Sequence, residues 1–327
     1  MAVICTVWQF DQGSIMKFVV TGGAGFIGSH IVEAIAGSHE VVVIDNFSSG
    51  KQENLSRFAD SINAIQGSIT DLPLLKDTFK GAEGIFHLGA IASVARSVDD
   101  PLVTHETNLT GTLNVLLAAR DCGVKKVVFS SSSAVYGDEP TLPKKEDMPP
   151  APLSPYAVSK LAGEYYCNVF SELFGMKTVS LRYFNVFGPR QDPHAEYAAV
   201  IAKFITRMLN DQPPLIFGDG KQTRDFVFVK DVVQANILAM QSPATGTFNI
   251  GSGQSIDLNT LAGMLAKIMN FYLPPIYDKP RSGDIRHSVS DTQAAKKAFG
   301  YKAYHSLENG LADTIQWFMH QKPGIKT

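Results

Sequence analysis

A chain of 327 residues that is 45% apolar, with 29 basic against 31 acidic side chains, is long enough for one large domain with an appended lobe or for two domains. This balance excludes a disordered chain, a collagen-like repeat and a binder that holds nucleic acid by bulk charge. A net charge of -2 gives no general attraction to phosphate polymers or anionic lipid, so any anion must be gripped by individual arginines.

In chain order, short β-branched runs alternate with helical periodicity, the pattern of repeated βαβ units and a parallel sheet. Strands are predicted over 17–21, 40–45, 63–66, 84–88, 126–130 and 177–183, with helices over 26–36, 72–79, 104–122 and 156–174. Unbroken apolarity such as Val41-Val42-Val43-Ile44 suits strands covered on both faces. After about Gly188 the pieces shorten and are broken by Pro213-Pro214, Gly218-Asp219-Gly220 and Gly251-Ser252-Gly253, which reads as a smaller mixed lobe. A last helix over 307–321 follows Ser306 as its N-cap. The expected fold class is α/β, a doubly wound parallel sheet with a smaller mixed α/β C-terminal lobe. Residues 1–15 read as an N-terminal extension, 16–188 as a dinucleotide-binding domain and 189–327 mainly as a substrate lobe.

Cys5, Cys122 and Cys167 lie far apart, with neither C-x-x-C nor zinc spacing, which points to a reducing compartment and no structural metal. The first fifteen residues lack the basic start and apolar centre of a signal peptide, and no window reaches the roughly 18 apolar residues of a membrane helix. A soluble, cytoplasmic protein without membrane or nucleic-acid partners is expected.

Thr21-Gly22-Gly23-Ala24-Gly25-Phe26-Ile27-Gly28 falls between the first strand and the first helix. Gly22 permits a tight turn, Gly25 lets backbone amides approach a pyrophosphate at the positive helix end, and Gly28 lets helix and strand pack closely. Asp45 ends the second strand, where a carboxylate can bond both hydroxyls of an adenosine ribose. It would repel a 2′-phosphate, and no arginine follows until Arg57, so NAD is favoured over NADP. Leu88, Gly89 and Ala90 close the fourth strand with little bulk where the cofactor would meet the sheet. His87 reads as a packed core histidine.

Tyr156 and Lys160 stand at i and i+4 on one helical face. Ten tyrosines make that spacing weak evidence by itself, but Ser130-Ser131-Ser132-Ser133 places hydroxyls at the carboxyl edge of the sheet beside the expected nicotinamide. A phenol is a poor base near neutrality unless neighbouring positive charge stabilises its phenolate, and an ammonium and a nicotinamide cation would both do so.

Together, these motifs resemble the extended short-chain dehydrogenase/reductase superfamily, with a Rossmann fold and a T-G-x-x-G-x-x-G loop; the likeness covers residues 16–321. It implies that Ser132 bonds the reacting oxygen, Tyr156 is the acid/base and Lys160 its electrostatic helper. Cofactor contacts would come from Gly22, Gly25, Phe26, Ile27, Gly28, Asp45, Asn46, Ser68, Ile69, Leu88, Gly89, Ala90, Asn108, Ser130, Tyr156, Lys160 and Tyr183. Relatives have Asp-Ile where this chain has Ser68-Ile69, which implies a weaker adenine contact.

Within that superfamily the chain is similar to nucleotide-sugar 4-epimerases. Leu181-Arg182-Tyr183-Phe184-Asn185-Val186-Phe187-Gly188-Pro189-Arg190, Thr223-Arg224-Asp225-Phe226 and Arg281-Ser282-Gly283-Asp284-Ile285-Arg286 resemble segments that hold the substrate. By that likeness Asn185, Arg224 and Arg281 serve the diphosphate, Asp284 the uridine ribose, and Val200 and Phe217 the base. Ser93, Arg96, Ser133 and Ser288 resemble the branch acting on UDP-N-acetylglucosamine and UDP-N-acetylgalactosamine; a small Ser288 leaves room for an acetamido group without rejecting UDP-glucose and UDP-galactose. Dehydratases and decarboxylases of the superfamily carry an acid beside the catalytic hydroxyl, whereas this chain has Ser133-Ala134. They remain the alternative, with a catalytically silent NAD-binding protein of the same fold behind them. The likeness also implies a homodimer paired through helices near 104–122 and 156–174.

Overall fold

The computed structural model describes residues 14–193, 200–280 and 285–321. Its first half runs β1 (Lys17–Thr21), α1 (Phe26–Ile35), β2 (Glu40–Asp45), β3 (Ile62–Gln66), α2 (Leu72–Thr78), β4 (Gly84–His87), α3 (Val94–Asp99), α4 (Pro101–His105), α5 (Gly111–Asp121), β5 (Lys126–Ser132), α6 (Pro155–Phe174) and β6 (Lys177–Tyr183). The second half continues with β7 (Asn185–Phe187), α7 (Val200–Leu209), β8 (Leu215–Phe217), β9 (Thr223–Arg224), β10 (Phe226–Phe228), α8 (Val229–Gln241), β11 (Gly246–Ile250), β12 (Ile256–Asp257), α9 (Leu258–Met269), β13 (Ile276–Asp278), α10 (Gln293–Phe299) and α11 (Leu307–Gln321).

Seven strands form one parallel sheet in the order β11-β6-β5-β4-β1-β2-β3. From β1 the chain winds outward to β3, then returns to β4 on the other side, so the carboxyl ends of β1 and β4 flank a switch point at the register pair Thr21 and His87. Both faces are covered, as the apolar strands require. One face packs Phe18, Val20, Val41 and Val43 against Ile31, Ile35, Val232 and Ile237 of α1 and α8. The other packs Val19, Val42, Ile85 and Val127 against Leu75, Val115, Leu116 and Cys167 of α2, α5 and α6. A separate core of Phe204, Ile205, Phe226, Leu261, Leu265, Leu311 and Ile315 builds the C-terminal lobe.

Two departures from the sequence expectation bear on the site. The helix expected over 104–122 is broken into α4, one wide π-helical turn over Glu106–Thr110, and α5. Periodicity alone cannot show one inserted residue, and such turns occur at functional sites. The division expected at residue 188 is also crossed. β11, drawn from the C-terminal part, pairs in register with β6 from Gly246 and Val179 to Ile250 and Tyr183, and α8 covers the same sheet. The edge of β6 would otherwise present unpaired amides and carbonyls.

Candidate active site

The glycine turn has the shape of a dinucleotide cradle. Gly22 has φ +69°, and a Cβ there would lie 2.7 Å from the Gly89 amide nitrogen. A Cβ on Gly28 would lie 2.2 Å from the Gly22 carbonyl oxygen. No side chain caps the start of α1, so the amides of its first turn, from Phe26 and Ile27 onward, are left for an acceptor from outside the chain. Asp45 is buried at the end of β2, accepting from the amides of Ala24 at 2.9 Å and Phe47 at 2.8 Å. Asn46 is exposed beside it. Ser68 shares its hydroxyl with Thr70, and Ile69 packs under Gly89 and Gly111. Leu88, Gly89 and Ala90 are half-buried where β4 ends beside β1. These residues fit NAD.

Tyr156 enters the site because α6 begins there. Ser154 caps the helix by accepting from the Ala157 amide at 3.2 Å, Pro155 fixes its first turn, and Gly175 at φ +67° ends it twenty residues on. Ser132 stands beside the Tyr156 phenol and acts to lower its pKa, and its oxygen accepts from the Ala134 amide at 3.1 Å. Lys160, one turn along, donates to the Ser130 carbonyl at 2.8 Å and lies 5.0 Å from the centroid of Phe129. Burial raises Tyr156 above its ordinary value, Ser132 opposes this only in part, and the ammonium is turned toward Ser130, 5.9 Å from the phenol ring centroid. Burial also pulls Lys160 down to about 8.

Ser130 and Tyr183 turn away from that surface: Ser130 donates to the Tyr183 hydroxyl at 3.2 Å, which donates to Asn236 at 2.9 Å, within the core. Asn108, in the π turn, clasps the loop after β4, accepting from the Ile91 amide at 2.7 Å and donating to its carbonyl and to Ser159. Ser159 in turn donates to the Tyr156 carbonyl at 2.7 Å. Ser93 caps α3 by accepting from the Arg96 amide, and Ser133 follows Ser132 directly.

Of the residues expected to hold substrate, Asn185 and Arg224 are half-buried, and Asn185 on β7 pairs beside Phe226 on β10. Phe217 lines a crevice of about 540 Å³ with Gln222, Asp278, Pro280 and Arg286, the last in a two-pronged pair with Asp219 at 2.9 Å. That pair holds the Asp219 carboxyl far below its usual range. Val200 starts α7, and Ser288 is buried where its amide donates to the Thr223 carbonyl. Arg281 and Asp284 lie outside the described residues.

Sequence reasoning missed the group behind the reactive face. Glu164, one turn past Lys160, accepts from Ser131 and forms a two-pronged ion pair with Arg182, at 2.9 and 2.7 Å to its Nε and terminal nitrogen. Arg182 also lies 4.7 Å from the centroid of Tyr136, whose hydroxyl donates to Asn249. An arginine in a strand covered on both faces was the available signal, since buried guanidinium demands a partner. Asp225 was missed likewise: it receives five hydrogen bonds, from the amides of Ser252, Gly253 and Ser290 and the hydroxyls of Ser252 and Ser290. It thereby ties the arginine-bearing strand to the segment around Ser288.

The model of the NAD-dependent epimerase/dehydratase family matches residues 18–251. The chain is 42% identical over 314 residues, 94% of its length and 99% of the relative's, to a UDP-glucose 4-epimerase of Mycolicibacterium smegmatis. Among solved structures it superposes with a TM-score of 0.92 and 42% identity on a UDP-N-acetylglucosamine 4-epimerase from Methanobrevibacter ruminantium in complex with UDP-N-acetylmuramic acid, covering 95% of this chain and 100% of that one. A UDP-glucose 4-epimerase of Thermotoga maritima with UDP-glucose gives 0.89 and 42%, over 93% and 99%. With a glycine cradle beside a buried carboxylate, a hydroxyl-phenol-amine cluster at the same edge of the sheet, and this likeness along almost its whole length, the chain belongs to the NAD-dependent epimerase/dehydratase family.

Proposed function

We propose that the chain is a UDP-sugar 4-epimerase that interconverts UDP-glucose with UDP-galactose and UDP-N-acetylglucosamine with UDP-N-acetylgalactosamine, working in the cytoplasm as a homodimer. The observation that carries this reading is the Ser132 hydroxyl beside the Tyr156 phenol with Lys160 one turn along, and Ser133-Ala134 rather than an acid after Ser132. In this reading Ser132 and Tyr156 both bond the C4 oxygen, and Tyr156 moves its proton. Bound NAD supplies the hydride acceptor at C4 and a positive charge that favours phenolate. Lys160, fixed by Ser130, keeps its ammonium near the phenol ring. The sugar becomes a 4-keto intermediate, turns about its diphosphate, and receives hydride and proton on the other face. Asn185, Arg224 and Arg281 hold the diphosphate during that turn, Asp284 the ribose, and Val200 and Phe217 the base. Guanidinium suits the diphosphate because it binds phosphate oxygens in pairs. Ser93, Ser133 and Ser288 leave space around the hexose.

The cofactor would lie along Gly22, Gly25, Phe26, Ile27, Gly28, Asp45, Asn46, Ser68, Ile69 and Leu88–Ala90, with Asn108, Ser130 and Tyr183 supporting from behind.

Incubating the purified protein with UDP-N-acetylglucosamine and separately with UDP-glucose, and resolving the 4-epimers by NMR, should show both conversions with no net NADH. Loss of water or carbon dioxide instead would indicate the dehydratase or decarboxylase reading. Tyr156→Phe should abolish turnover and leave NAD bound; unimpaired epimerisation in that variant would refute the role given to the phenol.

A further inference from the structure

His87 is fully buried at the end of β4, beneath the loop that would meet the cofactor, and its proton positions follow from its neighbours. The Thr112 hydroxyl has one hydrogen, donated to the Asn108 carbonyl at 2.5 Å, so toward His87 Nε2, 2.9 Å away, it can only accept. Nε2 therefore carries the proton. Burial and the charge of Lys160 push the imidazole pKa down to about 3, so the ring is neutral and Nδ1 is an acceptor. Among the described residues its hydrogen-bond partner is the Thr21 hydroxyl at 2.7 Å, which must donate to it. With its hydrogen so committed, Thr21 accepts the Gly89 amide at 3.2 Å.

The hydrogen bonds thus run one way from Gly89 to Thr21 to His87, and from His87 to Thr112 to Asn108. They join the end of the glycine strand, the loop after β4 and the π turn. Gly22 and Gly89 are in backbone contact at this place, so the loop's position relative to the phosphate turn depends on that junction.

We propose that His87 is a positioning residue for the cofactor: an imidazole protonated at Nε2 that orients the Thr21 hydroxyl and so holds the Leu88–Ala90 backbone against the glycine turn. This rests on the reading of Leu88–Ala90 as cofactor contacts.

The test uses the full chain stripped of NAD and titrated with NAD by calorimetry. Thr21→Val and His87→Leu should each weaken binding about tenfold, roughly one buried hydrogen bond, and the double variant should bind no worse than the weaker single one because both break one chain. Wild-type affinity in Thr21→Val, or losses that multiply in the double variant, would overturn the proposal. Nitrogen-15 NMR of the wild-type imidazole at neutral pH supplies a readout independent of folding in the variants. A proton on Nε2 alone is expected, and one on Nδ1 would overturn the assignment. Wild-type protein that fails to bind NAD would sink the cofactor reading and this proposal with it, whereas wild-type binding matched by both variants sinks only the role of His87.

Discussion

Lys160 is 4% exposed, and its ammonium has exchanged bulk water for the Ser130 carbonyl and the face of Phe129. Because burial lowers its pKa from 10.5 to about 8, below pH 8 folded and unfolded chains both hold the proton and the folded state bears the whole penalty. Between pH 8 and 10.5 the folded chain gives the proton up first, and the penalty fades. Lys160→Met should therefore abolish turnover yet stabilise the protein at pH 7, on the order of 2 kcal/mol after loss of the bond to Ser130. Thermal denaturation at pH 7 and pH 10 checks the sign: the gain should shrink at the higher pH. The places of Ser132 at the end of β5 and of Tyr156 and Lys160 one turn apart on α6 were legible in the sequence, because they need only a sheet edge and a helical repeat. Neither the upward shift of Tyr156 nor the proton on His87 Nε2 was legible, since both depend on what lies across the fold from them.

Helix α6 carries Tyr156 and Lys160 on its first turns and, just behind them, Glu164, paired with Arg182 of β6. Removing one partner strands a charge in the core, so Glu164→Leu or Arg182→Met alone should cost about 3–5 kcal/mol in urea unfolding, while the double variant should recover much of that loss. Equal and additive costs would show that the two side chains do not act as a unit. The strands of the first half were legible because doubly covered strands are rich in β-branched and apolar residues: β1, β2 and β6 have the predicted bounds and β5 runs two residues longer. β11 was not legible. It starts at Gly246 and holds Asn249, whose buried side-chain amide is satisfied by Tyr136, Lys144 and Asp291 from distant segments.

At the scale of the whole molecule, one face remains apolar and open. Leu102 is 81% exposed on α4 and Leu173 71% exposed on α6; Val98, Val158, Tyr165 and Val169 are exposed on the same group of helices. An amphipathic helix against the sheet explains only its inner side, and an outer apolar stripe of this kind marks an interface. This supports the homodimer proposed above, whose contact would then involve α3 and α4 beside α6. Leu173→Glu combined with Leu102→Glu should yield a monomer by light scattering; an unchanged mass, or a monomeric wild type, would count against that interface.

Because the strand at the margin of the large sheet and the helix behind it are supplied from beyond residue 188, the two halves of this protein are not interchangeable modules. A hybrid spliced at that joint to change sugar preference would import a foreign border for β6 and foreign backing for α1 along with the new lobe. A graft that retains residues 229–250 and exchanges only the surrounding segments would keep the original floor beneath the nucleotide.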